Sequence, residues 1–488
     1  MQNNLLKNSK IQLVDEILNL RETLEKSKEK IKVLEWENQD LKWEVQDLQW
    51  KLNINSTNSS KPSSTETLQK KTQICNSREK GKNPRWWVIW HKGANHKQYE
   101  NPDIIESIPI HTCSWCGHNL EEVETVNETK RQVVDIPKPI YIVTEFRWWE
   151  KTCPCCQKLN KANFPVWVEQ EIQFWANVIA SSVYLYNYQI TSFERLQEYW
   201  KEVYWLDISQ TTLMSFNKRS YSILEGFENQ LINALIRSNI LNGDETWVRI
   251  NWKTNWVHNY STHLLTYYSA QEKRGKEAMD EMKILEYFKW ILVSDHWKSY
   301  KSFIHFLLHA FCNAHHLREL KWVIENEMKI WAEEMKQLLL KAKKLKEEAV
   351  ERKQDFLEKE VLNEIHNEFK TILQKWKTEY QEVKRISPKR WRLKKDKWLN
   401  LLERLEQSED WTLWFIDNFL IPFDNNLAER DLRMVKTRTK ISGCFRSFEG
   451  ARNFCRIRSY ISTMRKQGFD IYKALYSIFS WEILLPNF

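Results

Sequence analysis

The run LNGDETWVRINWKTNWVHNYST, residues 241–262, decides the fold class of its region. Apolar and polar residues alternate on either side of Asn251 and Trp252, which is the period-2 pattern of half-buried strands. The next segment, HLLTYYSA at residues 263–270, is also predicted to be a strand, and residues 289–294 form a short apolar one. The sequence therefore predicts a sheet in this region, with two strands joined by a tight turn at Asn251 and Trp252.

Three acidic residues lie at the edges of predicted elements in this part of the chain. Asp244 closes the run LNGDET, Asp295 closes ILVSD, and Glu429 lies in the first turns of a helix predicted in DNNLAERDLRMVK. Carboxylates brought together from separate elements are hard oxygen ligands, and three of them can hold two Mg²⁺ or Mn²⁺ ions. From residue types alone the simpler interpretation stays open, because acids at such positions are often solvated or cap helices.

Neighbouring acids are predicted to serve other purposes. Glu245 directly follows Asp244, so on a strand its side chain points to the opposite face of the sheet. Asp431 lies roughly 200° around the predicted helix from Glu429, and Asp424 is placed to cap the start of that helix. The three acids named first are therefore the better candidates for a shared site.

Four of the nine cysteines form two C-x-x-C pairs, Cys113 with Cys116 and Cys153 with Cys156. Each pair can present two thiolates on a tight turn, and four thiolates make a tetrahedral site for structural Zn²⁺. Redox-active dithiols are the alternative interpretation. Cys155 is left as a spare thiol, and nine cysteines in 488 residues are too few for a disulfide scaffold.

The N-terminal part of the chain has a different pattern. Residues 11–52 carry a heptad repeat whose a and d positions are almost all apolar, with Asn38 as the polar residue that selects a register. This predicts a coiled coil that makes a homodimer or higher oligomer; a lone amphipathic helix is the alternative. Residues 53–82 are polar and without periodicity, as in a flexible linker.

Helical periodicity dominates two further segments. Helices are predicted over residues 172–188, 192–203 and 209–241, with Ser209 capping the last in the outline of a helix-turn-helix. DNA recognition and plain packing both remain open for this unit. Residues 323–408, rich in Lys, Glu and Leu, predict a long solvated helical insertion.

A basic segment follows the Glu429 position. The chain carries 74 Lys and Arg against 65 Asp and Glu, and cations are concentrated near the C-terminus. Cations that contact phosphates release counterions and give sequence-independent DNA binding. The residues predicted to contact DNA are Arg430, Arg433, Lys436, Arg438, Lys440 and Arg446.

Length and composition exclude several classes of protein. At 488 residues the chain suits roughly three or four units of about 150 residues, so a single small binding module is excluded. No apolar run approaches the roughly 18 residues that a membrane span needs, and MQNNLLKNSK does not have the form of a signal peptide. The expected location is cytoplasmic.

Four motifs resemble those of one protein family. DET begins at Asp244, SDHWKSY spans residues 294–300, CNAHHLREL spans 312–320 and DNNLAERDLR spans 424–433. Together they resemble the catalytic domain of the insertion sequence sixty-six family of bacterial transposases. The resemblance implies a ribonuclease-H-like DDE fold with Asp244, Asp295 and Glu429 as its metal-binding triad. The N-terminal coiled coil, cysteine pairs and helical unit also follow the order found in that family.

The expected architecture is a multidomain α+β protein. It has a coiled coil (1–52), a linker (53–82), a four-cysteine zinc-binding domain (83–165), a helical and possible helix-turn-helix domain (166–242), a ribonuclease-H-like α/β catalytic domain with a helical insertion (243–466), and a C-terminal tail (467–488).

The resemblance implies a function in DNA transposition, in association with the bacterial nucleoid. The expected activity is metal-dependent cleavage at the ends of an insertion sequence followed by strand transfer into target DNA, with possible accessory proteins as partners. Two alternatives are kept, a catalytically silent DNA-binding protein and a structural coiled-coil adaptor. His315 and His316, beside Cys312, are expected to be structural or close to DNA, with metal ligation as the weaker alternative.

One count is abnormal: the chain has 9 glycines and 26 tryptophans, whereas an average composition gives roughly 34 glycines in this length. We therefore expect that many tryptophans are misread glycines, as when a UGA codon is translated with the wrong code; a genuinely Trp-rich protein is the alternative. Trp252 follows Asn251, where Asn-Gly would be the strongest hairpin signal. Trp247 is expected to crowd the metal site near Asp244. The positions in question are Trp86, Trp87, Trp90, Trp205, Trp247 and Trp252.

Overall fold

The computed structural model describes residues 98–379 apart from 128, 137–138, 298 and 304–307, residues 397–488 apart from 481, and parts of 21–45. The linker at 53–82, the first three candidate tryptophans and most of the predicted coiled coil lie outside the described residues; the described parts of 21–45 are helical and exposed. The chain divides into two compact units, each described by itself. The larger comprises Met1–Ile74, Phe174–Leu196 and Ser209–Phe488, and the smaller comprises Cys75–Gln173 and Gln197–Ile208.

The smaller unit is built around two turns that carry the cysteine pairs. Strands β1 (Glu150–Thr152) and β2 (Leu159–Lys161) form an antiparallel hairpin on either side of the second pair. An isolated antiparallel bridge between Thr112 and Asn119 flanks the first pair in the same way. The two pairs therefore occupy similar local structures.

The larger unit contains a five-stranded mixed sheet with the strand order β5-β4-β3-β6-β7. The central strand β3 is antiparallel to β4 and parallel to β6, and β7 is parallel to β6. The parallel half therefore brings the carboxyl ends of β6 and β7 to one edge, beside the middle of the longer β3. The strands are β3 (Ile240–Ile250), β4 (Lys253–Ser261), β5 (Thr266–Gln271), β6 (Ile291–Ser294) and β7 (Leu308–Phe311).

The turn between β3 and β4 has the conformation that the sequence predicts. Ile250 pairs with Lys253, so the loop contains only Asn251 and Trp252. Their φ angles are 48° and 63°, both in the left-handed region, as in the type I′ turns that favour Asn-Gly. Trp205, which joins two helices, also has a positive φ of 54°. Two of the candidate misread positions thus have backbone conformations that favour glycine.

Helices account for most of the remaining chain. One predicted helix differs: residues 209–241 form two helices that meet at Leu224, and the chain enters β3 at Ile240 because Ile240 pairs with Ile291 of β6. The helices are Ala176–Val183, Phe193–Tyr204, Gln210–Ile223, Glu225–Arg237, Lys276–Glu281, Asn313–Glu327, Ile330–Glu351, Lys359–Glu379, Lys397–Gln407, Glu409–Asp417, Asn426–Ser442, Phe448–Lys466 and Ile471–Ser477. A π-helical turn, Tyr184–Tyr188, directly follows the helix Ala176–Val183.

The helices between residues 313 and 417 share an apolar core with strands β6 and β7. Trp331, Met335, Leu339, Ile365 and Phe369 are fully buried among neighbouring helices. Each such side chain contributes roughly 1.5–3 kcal/mol when it leaves water. The segment that looked like a solvated insertion is therefore solvated on one side only.

The C-terminal residues pack on the sheet side of the larger unit. Helix Phe448–Lys466 is almost wholly buried, and Ser459 Oγ accepts a hydrogen bond from Tyr268 N of β5 at 2.9 Å. From the same helix, the Tyr460 hydroxyl donates a hydrogen bond to Leu484 O at 2.7 Å. Residues 467–488, expected to be a tail, are thus packed against the body of this unit. Within the described residues, no helix has the length and apolarity that crossing a membrane requires.

Candidate active site

Asp244 lies within β3, and the strand continues six residues beyond it to Ile250. The expectation that it closes a strand is therefore wrong, because β3 extends through the turn into β4. Burial, followed by the charges of Glu245, Asp295 and Glu429, raises the pKa of the Asp244 carboxyl well above its ordinary value. These acids are close enough to repel one another.

Asp295 directly follows β6, as the sequence predicts. Its Oδ1 accepts a hydrogen bond from the backbone N of Trp297 at 3.0 Å, which fixes the carboxylate at the end of the strand. Burial and the charge of Glu245 raise the pKa of Asp295, whereas His315 lowers it. Because β6 is the parallel neighbour of β3, Asp295 and Asp244 belong to adjacent strands.

Glu429 lies in the first turn of helix Asn426–Ser442. Its two carboxylate oxygens accept hydrogen bonds from Nη2 of Arg318 at 3.2 and 3.4 Å. His315 Nδ1 lies 3.8 Å from Glu429 Oε1. The Glu429 side chain is 29% exposed, so this acid forms the open side of the group.

Asn425 joins the start of this helix to the sheet. Its side-chain Nδ2 donates to Gly243 O at 2.7 Å, and its Oδ1 accepts from Asn242 Nδ2 at 2.9 Å. Its backbone N donates to Cys312 Sγ at 3.1 Å. The side chain does not cap its own helix, so it is free to hold the Glu429 helix against β3. Sequence reasoning missed this role because it depends on contacts between distant segments.

Glu245 follows Asp244 on β3, and strand alternation places its side chain on the opposite face, although its charge still raises the pKa of Asp244 and Asp295. Its carboxylate accepts hydrogen bonds from Arg274 Nε at 2.9 Å and from Nη2 at 2.7 Å, and the Tyr300 hydroxyl donates to it at 2.7 Å. The Arg274 guanidinium lies 4.0 Å from the centre of the Trp297 ring. Glu245 is thus fully engaged in a buried ion pair behind the Asp295 loop.

Asp431 also faces away from Glu429. Its Oδ2 accepts hydrogen bonds from Ser261 Oγ, Thr266 Oγ1 and Lys466 Nζ at 2.7, 3.1 and 2.7 Å. This residue therefore ties its helix to the edge of the sheet and contributes no carboxylate to the triad.

A second group of donors adjoins Glu429. Cys312, His315 and Glu429 each offer a ligand atom, and these atoms lie within 4.8 Å of one another. Across the parts of the chain that the structure describes, no other three Cys, His, Asp or Glu donors are grouped in this way. His316 instead contacts His296 and Asn313 and is buried, which is a structural role.

Contrary to the prediction from the sequence, Trp247 does not crowd Asp244. It stands three residues further along β3, an odd separation that places its side chain on the opposite face of the strand, where it is half exposed. The Trp247 indole therefore lies on the side of β3 away from the Asp244 carboxylate.

The two cysteine turns have the same hydrogen-bond pattern. Gly117 N donates to Cys113 O at 3.0 Å, and Gln157 N donates to Cys153 O at 2.8 Å. Backbone N–H groups of the following turn lower the pKa of both Cys113 and Cys153, which favours thiolates. No three sulfur atoms of the two cysteine pairs lie within 4.8 Å of one another.

The predicted DNA-contacting cations differ in exposure. Arg438 is a correction: it is only 6% exposed, and its guanidinium lies 4.1 Å from the centre of the Tyr186 ring. Its side of helix Asn426–Ser442 faces the core, so it cannot contact DNA. Lys436 is half-buried and its charge lowers the pKa of Asp244. The exposed cations are Arg430, Arg433, Lys440 and Arg446.

The fold and these contacts define an α/β protein with a buried carboxylate group at the edge of a mixed sheet. The family model described as Transposase IS66 family matches residues 171–453, more than half of the chain. The protein therefore belongs to the IS66 family of transposases. A search of curated proteins found no match. The matched region contains the three acids and begins after the cysteine pairs, which lie at residues 113–116 and 153–156.

Proposed function

We propose that the protein is a DDE transposase that cleaves DNA strands at the ends of an insertion sequence and joins them to target DNA. Family membership indicates a role in transposition. What supports this proposal is that the charges of Asp295 and Glu429 raise the pKa of Asp244, and that Asp244 and Asp295 lie on or directly after neighbouring parallel strands. The sheet order supports a ribonuclease-H-like catalytic domain, since its three antiparallel strands are followed by two parallel ones.

The donor set fits Mg²⁺ or Mn²⁺. All three groups are carboxylates, which are the hard oxygen ligands that these ions prefer. Burial raises the pKa of both Asp244 and Asp295, and the charge of Asp295 raises that of Asp244 further; a divalent cation bound beside these carboxylates would favour their charged forms. Such ions, when bound, activate a water or 3′-hydroxyl and stabilise charge on the phosphate.

The protein's own cations bind and orient the nucleic acid in this proposal. Lys436 is close enough to Asp244 to shift its pKa, so it can contact a phosphate held at the triad. Arg430 and Arg433 extend from the same helix into solvent and can contact the flanking phosphates. These contacts position the backbone without reading base sequence.

Further parts of the proposal concern the rest of the chain. The matching hydrogen-bond patterns and lowered pKa values of Cys113 and Cys153 support thiolate ligands for one structural Zn²⁺, completed by Cys116 and Cys156. The heptad pattern supports a homodimer or higher oligomer. DNA is the expected partner. The expected location of the protein is the cytoplasm of a bacterial cell.

The test is a cleavage assay on DNA that carries the ends of the flanking element. The full chain should nick this DNA with Mg²⁺, and Asp244→Asn should abolish nicking while DNA binding stays nearly intact. Asp424→Asn is the matched control, because the hydrogen bonds of the Asp424 side chain within the described residues go to Asn426, near the same helix start. DNA binding without nicking in the parent protein would favour the silent DNA-binding alternative, and absence of both would favour the coiled-coil adaptor.

A further inference from the structure

The grouping of Cys312, His315 and Glu429 has the chemistry of a site for a softer ion than Mg²⁺. Thiolate and imidazole are ligands that Zn²⁺ prefers, and one carboxylate completes the three protein ligands found in zinc sites that keep an open position. Cys312 and His315 are spaced as C-x-x-H at the start of helix Asn313–Glu327, so both donors lie on the same turn.

His315 supplies an independent observation. Its Nδ1 is a buried polar atom without a hydrogen-bond partner, and it faces Glu429 Oε1 at 3.8 Å. Buried polar groups normally have partners, so an unpaired ring nitrogen beside a thiol and a carboxylate indicates a missing ligand. An ion bound to Nδ1 would satisfy it.

The distances are close to those that zinc requires. Tetrahedral ligands at the usual zinc bond lengths lie roughly 3.3 to 3.8 Å apart. The 3.8 Å separation of His315 Nδ1 and Glu429 Oε1 is somewhat wider than the roughly 3.3 Å of a nitrogen–oxygen pair on tetrahedral zinc, and the whole group lies within 4.8 Å. Small rotations of the Glu429 side chain, which is the most exposed of the three, would close the remaining gap. Arg318 Nη2 can keep its contact with Glu429 Oε2 at 3.4 Å.

We propose that Cys312, His315 and Glu429 form a second metal site, for Zn²⁺ or a similarly soft divalent cation, which shares Glu429 with the carboxylate triad. The inhibitory consequence rests on the proposed transposase function; the binding itself does not. With Oε1 of Glu429 on zinc and Oε2 still bonded to Arg318 Nη2, this carboxylate has less capacity left for the triad. Zinc is therefore an inhibitor of the Mg²⁺-dependent reaction.

The experiment counts metal in the full chain. The protein is saturated with Zn²⁺, passed through a desalting column and analysed for zinc, alongside Cys312→Ser, His315→Gln and Glu429→Gln. Each of these variants should bind about one Zn²⁺ fewer than the parent. Because loss of an outer partner alone weakens metal binding about 10–100-fold, loss of a ligand should exceed that. Cys455→Ser is the matched control, since Cys455 is also buried but lies on helix Phe448–Lys466.

The outcomes separate this inference from the proposed function. Equal zinc content in the parent and in both Cys312→Ser and His315→Gln would overturn the site. Retention of the extra ion in Glu429→Gln would overturn the sharing of Glu429. If Cys312→Ser does not fold, the zinc content of His315→Gln still tests the site, because His315 is only partly buried. Where cleavage is measurable, the ratio of rates with and without zinc should rise toward one in His315→Gln. A protein without cleavage activity would leave the zinc count, and hence this test, intact.

Discussion

The side chain of Asn425 donates a hydrogen bond to the backbone oxygen of Gly243 at 2.7 Å, and so fastens the start of the Glu429 helix to the residue that precedes Asp244. Two of the three acids are therefore held in register by one buried amide. The position of Glu429 relative to the sheet depends on this contact as much as on the helix itself.

Replacing Asn425 with alanine should destabilise the protein by roughly 1–3 kcal/mol, because Gly243 O and Asn242 Nδ2 lose a buried partner. Urea unfolding measures this change. Asn426→Ala is the control: its side chain is exposed and, in the part of the chain that the structure describes, bonds to Asp424 alone, so this variant should stay within about 0.5 kcal/mol of the parent. A similar stability for both variants would contradict the role given to Asn425.

The sequence predicts the local features of the site better than its assembly. The tight turn at Asn251 and the position of Asp295 at the end of β6 follow from alternation and turn chemistry over a few residues. The placement of Asp244 within β3, by contrast, depends on pairing with β4 and β6 over the whole strand. Such pairing is set by contacts between distant segments, which a local pattern does not contain.

The same limit explains two other differences. Helical periodicity places Arg438 among the cations of its helix, but which side of the helix faces the core is decided by Tyr186 and Phe454 from other segments. Likewise, the spacing of Cys312 and His315 is visible in the sequence, whereas their closeness to Glu429 arises only when the helices meet. The residue pattern of a helix predicts which side chains share a face, but contacts with other segments decide which face is buried.

Neutralising Asp244 should stabilise the metal-free protein. Burial and the neighbouring acids raise the pKa of Asp244, so the folded state binds its proton more tightly than the unfolded state. The stability that this carboxyl contributes is therefore present at low pH and is lost as pH rises from about 4 through the raised pKa. Each pKa unit corresponds to about 1.4 kcal/mol.

Thermal unfolding of Asp244→Asn at neutral pH without divalent cations should accordingly give a higher Tm than the parent. Mg²⁺ should raise the Tm of the parent by several degrees and have little effect on the variant, since the ion relieves a repulsion that the variant lacks. An unchanged Tm in both comparisons would mean that the acids do not interact as the structure places them.

Arg433 and Arg438 form a matched pair for testing the DNA-contacting surface. Arg433→Ala should weaken DNA binding and lower the salt slope by about one unit, because an exposed phosphate contact is lost. Arg438→Ala should instead lower stability by roughly 1–3 kcal/mol, since its guanidinium packs on Tyr186. Fluorescence anisotropy over a salt series and urea unfolding measure the two effects. A reversed pattern would refute the assignment.

The cysteine turns should hold about one Zn²⁺ per chain, in addition to any ion bound beside Glu429. Cys113→Ser or Cys156→Ser should lose this ion, whereas Cys155→Ser should keep it, because Cys155 is exposed and occupies a middle position of its turn. Metal analysis of protein prepared without added zinc provides the count. Full zinc content in Cys113→Ser would favour the redox interpretation of these pairs.

The backbone conformation of Trp252 makes the question of misread glycines testable in the protein as written. At a φ of 63° a side chain costs roughly 1–2 kcal/mol, so Trp252→Gly should stabilise the β3–β4 turn by about that amount. Trp331 is the control, because it is fully buried among helices and Trp331→Gly should cost several kcal/mol. Peptides from the native organism should then carry glycine at Trp205 and Trp252 and tryptophan at Trp331. Tryptophan at all three positions in native peptides, read by mass spectrometry, would refute the hypothesis and leave two indoles at left-handed positions as a cost that the fold tolerates.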